Sequence, residues 1–255
     1  MIDFQERLQA HYDKVVENFG TKRVFAVVTV GSMNYGLATE ESDCDTKALI
    51  FPSIEQLAVN DKPTSLEFMV DGEICLVRDF RLMFQSILKA NPNFIEIMYS
   101  AYKIVTPEYQ VFWDKLINMR NEIINSMPRQ VVNAACGVAK QKYEKFKDSV
   151  SFGTYNSKEL MHFIRMEVYL EYFMQAHTLD KSIRLTVADS IWLKNVRNFI
   201  LSPVEAVEKA KQVNARIQYL KQQSDKLHIE PAQRCQEFNY LAIDMLNAYL
   251  RRVTW

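Results

Sequence analysis

The chain has 255 residues with 31 basic and 31 acidic side chains, so its formal net charge is zero. A balanced chain has no global positive field to hold nucleic acid unspecifically, and any polynucleotide partner must meet a local patch. Hydrophobic residues make up 48%, enough to bury one large core or two modest ones, and two fit the pattern better. The cysteines, Cys44, Cys75, Cys136 and Cys235, are widely scattered, with no Cys-x-x-Cys pair and no zinc-like histidine spacing. They read as reduced core residues of a cytosol. No basic region followed by an apolar stretch opens the chain, and no apolar run approaches membrane-spanning length. The expectation is a soluble, cytoplasmic protein with no membrane partner.

Residues 3 to 19 place Phe4, Leu8, Tyr12, Val15, Val16 and Phe19 at helical spacing, with Gly20 as the stop. The apolar, β-branched run Val24 to Val30 reads as a buried strand closed by Gly31-Ser32, which turns into a short helix. A strand pattern resumes over 44 to 51, and side-chain alternation puts Asp43, Asp45 and Lys47 on one face with Cys44 and Thr46 on the other. Ser53 to Gln56 has the form of a helix start. Residues 64 to 70 and 73 to 78 predict two strands joined at Asp71-Gly72, a strong hairpin turn. Asp79 caps the helix that follows, a structural role.

From Pro107 the texture changes to about six long amphipathic segments, with breaks at Ser126-Met127-Pro128, Ser151-Phe152-Gly153, Ser202-Pro203 and Glu230-Pro231. The expected architecture is therefore α+β, with a small mixed β-sheet core over residues 1–106 and an α-helical domain over 107–255. No repeat or low-complexity tract interrupts it.

Two carboxylates two residues apart suit magnesium, a hard ion usually held by one or two carboxylates plus substrate phosphates. A glycine-serine turn just upstream brings backbone N–H groups near a phosphate. Each part alone has a plain structural explanation, as a common turn and as a solvated strand end. Their combination resembles the nucleotidyltransferase superfamily of DNA polymerase β type. Gly31-Ser32-x-x-Tyr35-Gly36-Leu37 with Ser42-Asp43-x-Asp45-x-Lys47 looks most like the bacterial and phage nucleotidyltransferases of the YcgL type. Asp79 to Phe84 leading into Asn91-Pro92 and Ile95-Glu96-Ile97 is similar to a second stretch of that family. Lys158, His162 and Arg165 match its Lys-x-x-x-His-x-x-Arg helix. The likeness spans about two-thirds of the chain.

The resemblance implies an enzyme that moves a nucleoside monophosphate from an NTP to an acceptor hydroxyl and releases pyrophosphate. Asp43 and Asp45 would bind two Mg²⁺ ions, with Mn²⁺ as the alternative, and Gly31 and Ser32 would hold the triphosphate. A third carboxylate from a neighbouring strand is expected at Glu73, with Asp71 and Glu67 as alternatives. Lys47 either neutralises a phosphate or holds Asp45 ionised, and Ala48 stands where the family often has glycine. Lys158 and Arg165 lie on one face with His162 and are expected to meet nucleotide or nucleic-acid phosphates, or else to form a solvated stripe. Lys140, Lys142, Lys145 and Lys147 spread around their helix, which favours solvation over an RNA contact. His11, His177 and His228 have no spacing that suggests chemistry. The acceptor first in line is an RNA 3′ end, tRNA-like or other. The alternatives are a protein hydroxyl, as in antitoxin-like adenylyltransferases, and a silent module that binds a nucleotide or partner without catalysis.

Overall fold

The computed structural model describes residues 4–39, 42–150, 153–227 and 233–254, with side chains of the last stretch described from residue 236. The breaks expected at Ser151-Phe152 and Glu230-Pro231, together with His228 and the Cys235 side chain, lie outside the described residues. In chain order the first half comprises α1 (Phe4–Phe19), β1 (Val24–Thr29), α2 (Ser32–Tyr35), β2 (Thr46–Ile50), α3 (Ile54–Ala58), β3 (Ser65–Val70), β4 (Glu73–Asp79), α4 (Phe80–Leu88), α5 (Pro92–Ile95) and β5 (Lys103–Val105). A 3₁₀ turn over Glu96–Tyr99 leads into β5. The second half comprises α6 (Gln110–Asn125), α7 (Pro128–Ser149), α8 (Ser157–Ala176), α9 (Asp180–Ile183), α10 (Val187–Arg197), α11 (Pro203–Ser224) and α12 (Gln233–Thr254). The α+β architecture expected from the sequence is present.

The strands form one mixed sheet in the order β3-β4-β2-β1-β5. Among the described strand pairings β2–β4 alone is parallel; the β3–β4 hairpin turns at Asp71 and Gly72, whose φ values of 50° and 88° are the pair of positive angles that a tight hairpin demands. Local sequence set several boundaries. Ser53 forms a reciprocal capping box with Gln56, Asp79 caps α4 through Arg81 N–H, and Ser202 with Pro203 opens α11.

Strand alternation divides the core into two faces. Val24, Val27, Ala48, Ile50, Cys75 and Val77 pack beneath α1 with Leu8 and Val15. On the other face Phe25, Val28, Leu49 and Phe51 meet the helices. A bulge between Val24 and Ala26 lets the consecutive residues Phe25 and Ala26 both face that second layer. Phe51 is the hinge of this packing. Its ring lies 5.0 Å from Phe80, 5.0 Å from Tyr109 and 4.7 Å from Tyr249, stacked nearly parallel on the last.

The expected boundary at 106/107 falls between β5 and the turn that opens α6. No apolar break lies there, because one buried cluster runs from Phe25 and Phe51 of the sheet to Trp113, Phe173 and Tyr249 of the helices. Phe51→Ala should therefore cost about 3–5 kcal/mol, measured by denaturant titration. Fluorescence and circular dichroism should report one shared transition, since the two halves share that core.

Candidate active site

The turn after β1 carries the glycine-serine pair. Gly31 sits at φ 69° and ψ −134°, a combination that side chains with a Cβ rarely adopt. A Cβ built there would meet no atom within 4 Å. Backbone conformation, not crowding by the protein, is what calls for glycine. Gly36, at φ 69°, ends α2 in the left-handed conformation.

The turn is fixed from below by Glu96. One oxygen of this buried carboxylate accepts the Gly31 N–H at 3.3 Å and the Tyr35 hydroxyl at 2.6 Å. Asn34 adds bonds from its amide to the Thr29 and Glu96 carbonyls. Arg165 lies with its guanidinium 3.8 Å from the Tyr35 ring centroid and is 8% exposed. Burial raises the Tyr35 hydroxyl pKa, Arg165 opposes that rise, and Glu96 adds to it. The phenol is therefore a fixed proton donor.

The loop between α2 and β2 is held on three sides. Leu37 N–H bonds back to the Ser32 carbonyl, Lys194 of α10 reaches the Ala38 carbonyl at 3.3 Å, and Arg7 of α1 reaches the Ser42 carbonyl at 3.0 Å. Thr39 and Ser42 close a small turn through the Ser42 hydroxyl. Asp43 and Asp45 emerge from this loop into a cavity of about 270 Å³ shared with Gly31, Ser32, Lys158, His162 and Arg197. Asp43 is exposed and Asp45 half-buried. Burial raises the Asp45 pKa first, the Asp43 charge raises it further, and Lys158 opposes them.

The structure thus brings together Gly31, Ser32, Asp43, Asp45 and Lys158, all expected from sequence. Other residues stand elsewhere. Glu73 faces α1, on the side of Thr46 and Cys75, because parallel pairing aligns Thr46 with Cys75. Its carboxylate takes the Cys44 N–H at 2.9 Å and an ion pair from Arg7, with His11 at 3.6 Å. Glu73 therefore holds the loop from the opposite face and does not line the cavity. Of the carboxylates weighed beside it, exposed Glu67 pairs with Leu76, which pairs with Lys47. Glu67 shares the Asp45 face, and its charge adds to the rise of the Asp45 pKa.

Lys47 does not line the cavity either. It is buried, with its ammonium on the Asn93 carbonyl and 4.5 Å from the Phe94 ring centroid. Burial lowers its pKa to about 8, while Glu96 nearby favours the charged form. Arg165 lies behind the cavity wall, on Tyr35. The basic segment of α7 is mostly solvated, with Lys147 paired to Glu144 and Lys142 to Glu159. His11 packs under the sheet with Nδ1 at 2.7 Å from the Thr46 hydroxyl. Cys44, Cys75 and Cys136 are buried free thiols.

Sequence reasoning missed Arg197 and Glu96. Arg197, at the end of α10, lines the cavity while its carbonyl accepts the Ser157 hydroxyl at 2.7 Å, tying α10 to the start of α8. Only the fold brings residue 197 next to Asp43. A basic residue in a helix's last turn is otherwise an ordinary partner of the helix dipole. Glu96 was visible only as part of an apolar-Glu segment.

The donor set fits a divalent cation. Two carboxylates that repel each other line one wall of a polar cavity, and a hard ion relieves that repulsion. Among the described residues no group of three His, Cys, Asp or Glu converges on one point, so substrate phosphate oxygens would complete the coordination.

The family described as "RNA repair pathway DNA polymerase beta family" (RlaP) matches residues 4–252. A solved structure, a nucleotidyltransferase-like protein from Exiguobacterium sibiricum 255-15, aligns over 96% of this chain and 91% of that chain at 11% identity and a TM-score of 0.33. No curated protein matches. Among the described residues no helix is long and apolar enough to cross a membrane.

His162 makes the site acid-sensitive. Burial, then Arg165, Lys142, Lys158 and Arg197, lower its pKa to about 3. The unfolded chain binds this proton near pH 6.5 and the native state only near pH 3, so stability falls as pH drops through that window. His11, also lowered, acts in the same sense. Asp45, raised, takes its proton more readily in the native state and offsets part of the loss. His162→Gln should flatten the stability profile between pH 6.5 and pH 3, measured by urea unfolding at each pH.

Proposed function

From the premise that this chain belongs to the RNA repair pathway DNA polymerase beta family and is a nucleotidyltransferase, we propose that it transfers a nucleoside monophosphate from an NTP to the 3′ hydroxyl of RNA and releases pyrophosphate. One observation carries the reading. Asp43 and Asp45 share a cavity with the Gly31-Ser32 turn, and Lys158 and Arg197 line it as well. Carboxylates and cations in one cleft are what a triphosphate with its counter-ions requires.

Magnesium, with manganese as the alternative, would be held by Asp43 and Asp45 and would neutralise charge on the triphosphate and the attacking oxygen. Gly31 and Ser32 give the phosphates a wall on which no Cβ intrudes at residue 31. Lys158 and Arg197 draw negative charge off the departing pyrophosphate. The acceptor oxygen forms its bond to the α-phosphorus as the bond to pyrophosphate breaks. Asp45, which accepts the Ile74 N–H, orients the acceptor side. Lys47 and Arg165 act at a distance by fixing the floor. The zero net charge means that RNA is held by this local patch and not by a global field.

The test is incubation with α-labelled NTPs and RNA, followed by gels that separate RNA from protein. Label in RNA is expected; label confined to protein would instead indicate a protein hydroxyl as acceptor. Asp43→Asn with Asp45→Asn should lower transfer by at least about 1,000-fold while the protein stays folded, since removing two mutually repelling carboxylates does not strain the apo state. Arg197→Ala should raise the KM for NTP about tenfold or more, with a loss that shrinks at high salt. An unchanged KM would place the triphosphate elsewhere.

A further inference from the structure

His11 and His162 each enclose one ring nitrogen that has no hydrogen-bond partner. In His11 the other nitrogen is satisfied, with Nδ1 at 2.7 Å from the Thr46 hydroxyl. In His162 the enclosed nitrogen is Nδ1, and the other, Nε2, also has no partner among the described residues but is not enclosed. His162 is half-buried, lies one turn after Lys158 on α8 and lines the cavity that holds Asp43 and Asp45. Nε2 therefore opens on that cavity. Packing alone does not explain an imidazole here, because an apolar side chain would fill the same space without burying a polar atom that lacks a partner.

The state of the ring follows from its surroundings. Burial and the positive charges of Arg165, Lys142, Lys158 and Arg197 all disfavour a second proton on it, so the imidazole is neutral, with one N–H and one lone pair. An enclosed N–H with no acceptor is costlier than an enclosed lone pair with no donor. The hydrogen accordingly sits on Nε2, and Nδ1 keeps the lone pair. The helical side of the cavity thus presents an uncharged N–H donor of fixed direction beside the cations Lys158 and Arg197. A group that meets all three must carry anionic oxygens, and the hydrogen bond it accepts from His162 is of the stronger, charge-assisted kind.

We propose that His162 is a ligand-binding residue that donates its Nε2–H to a phosphate oxygen of the triphosphate. This rests on the reading of the cavity as the triphosphate site. It adds a contact whose direction is set by a ring held in the wall, where Lys158 and Arg197 offer charge on long, flexible stems. The phosphates of an RNA strand offer the same acceptor chemistry, and the two sources are separated below.

The experiment uses the full chain with ¹⁵N-labelled histidine, its His162 ring signals assigned by their loss in His162→Gln. Long-range ¹H–¹⁵N spectra should show the Nε2–H tautomer in the free protein. Titration with magnesium tripolyphosphate should move the Nε2 signal saturably; movement with a ten-nucleotide RNA but not with tripolyphosphate would assign the contact to a strand and overturn the triphosphate. By calorimetry, His162→Ala and His162→Asn should weaken tripolyphosphate binding about tenfold or more. His162→Gln should stay close to the unmutated chain, because its amide nitrogen takes the place of Nε2 whereas that of asparagine takes the place of Nδ1. A merely structural role would weaken the Gln and Asn variants alike. Should His162→Ala fail to fold, the spectra of the unmutated chain still decide. The Nδ1–H tautomer, an unmoved Nε2 signal at millimolar tripolyphosphate, or unchanged affinity in folded His162→Ala overturns the proposal. A saturable Nε2 shift in a protein that labels neither RNA nor protein leaves the contact standing and removes the transfer reading; labelled RNA with unchanged affinity in His162→Ala does the reverse.

Discussion

The Glu96 carboxylate is the constraint on which the rest of the site depends. It is 5% exposed, and a carboxylate in such a place persists only when its oxygens are bonded and its charge is answered. The Gly31 N–H and Tyr35 hydroxyl supply the bonds, while the buried Lys47 and Arg165 supply positive charge nearby. Each of those partners is itself fixed. Lys47 is pinned to the Asn93 carbonyl, and Arg165 to the Tyr35 ring. The Gly31-Ser32 turn is thus the exposed end of a buried polar network. Its geometry is set before any ligand arrives, as electrostatic stabilisation of a transition state requires.

The same network explains why the helices are not an appendage. Arg165 belongs to α8 and Glu96 to the turn before β5, yet both bear on a tyrosine of α2. Lys194 and Arg197 of α10 likewise reach the Asp43 loop and its cavity. The carboxylates come from the sheet side and the cations from the helical side, so relative motion of the two would separate opposite charges. The aromatic packing around Phe51 resists such motion apolarly, and the Glu96 network resists it through polar contacts. A site built across one continuous core can be stiff even where its loops are exposed.

Much of this was legible wherever the signal is local. The run Val24 to Val30, the Asp71-Gly72 turn, the helix starts at Ser53 and Asp79 and the break at Ser202-Pro203 all act within a few residues, and the structure has them there. The Asp43-Asp45 spacing was legible because residues two apart near a strand share a face. Glu73 was not, because its face follows from the register of a parallel pairing with β2, a contact distant in sequence. A shift of one residue in that pairing inverts every side chain of the strand. Lys47 carried the right parity but the wrong neighbour, since α5 covers it with Asn93 and Phe94. Arg197 offered no local signal at all.

The position of Glu73 shows how one residue type at one strand can serve opposite ends. On the Asp45 face its charge would join a site whose half-buried carboxylate already feels Asp43 and Glu67. On the α1 face it meets Arg7 and the Cys44 N–H and anchors the segment between the two aspartates. An anion that would add to the repulsion in front instead steadies the loop from behind, with the sheet between them. The backbone carrying the two aspartates is thus held in place by contacts within the protein itself, from Arg7 to the Ser42 carbonyl and from Glu73 to the Cys44 N–H.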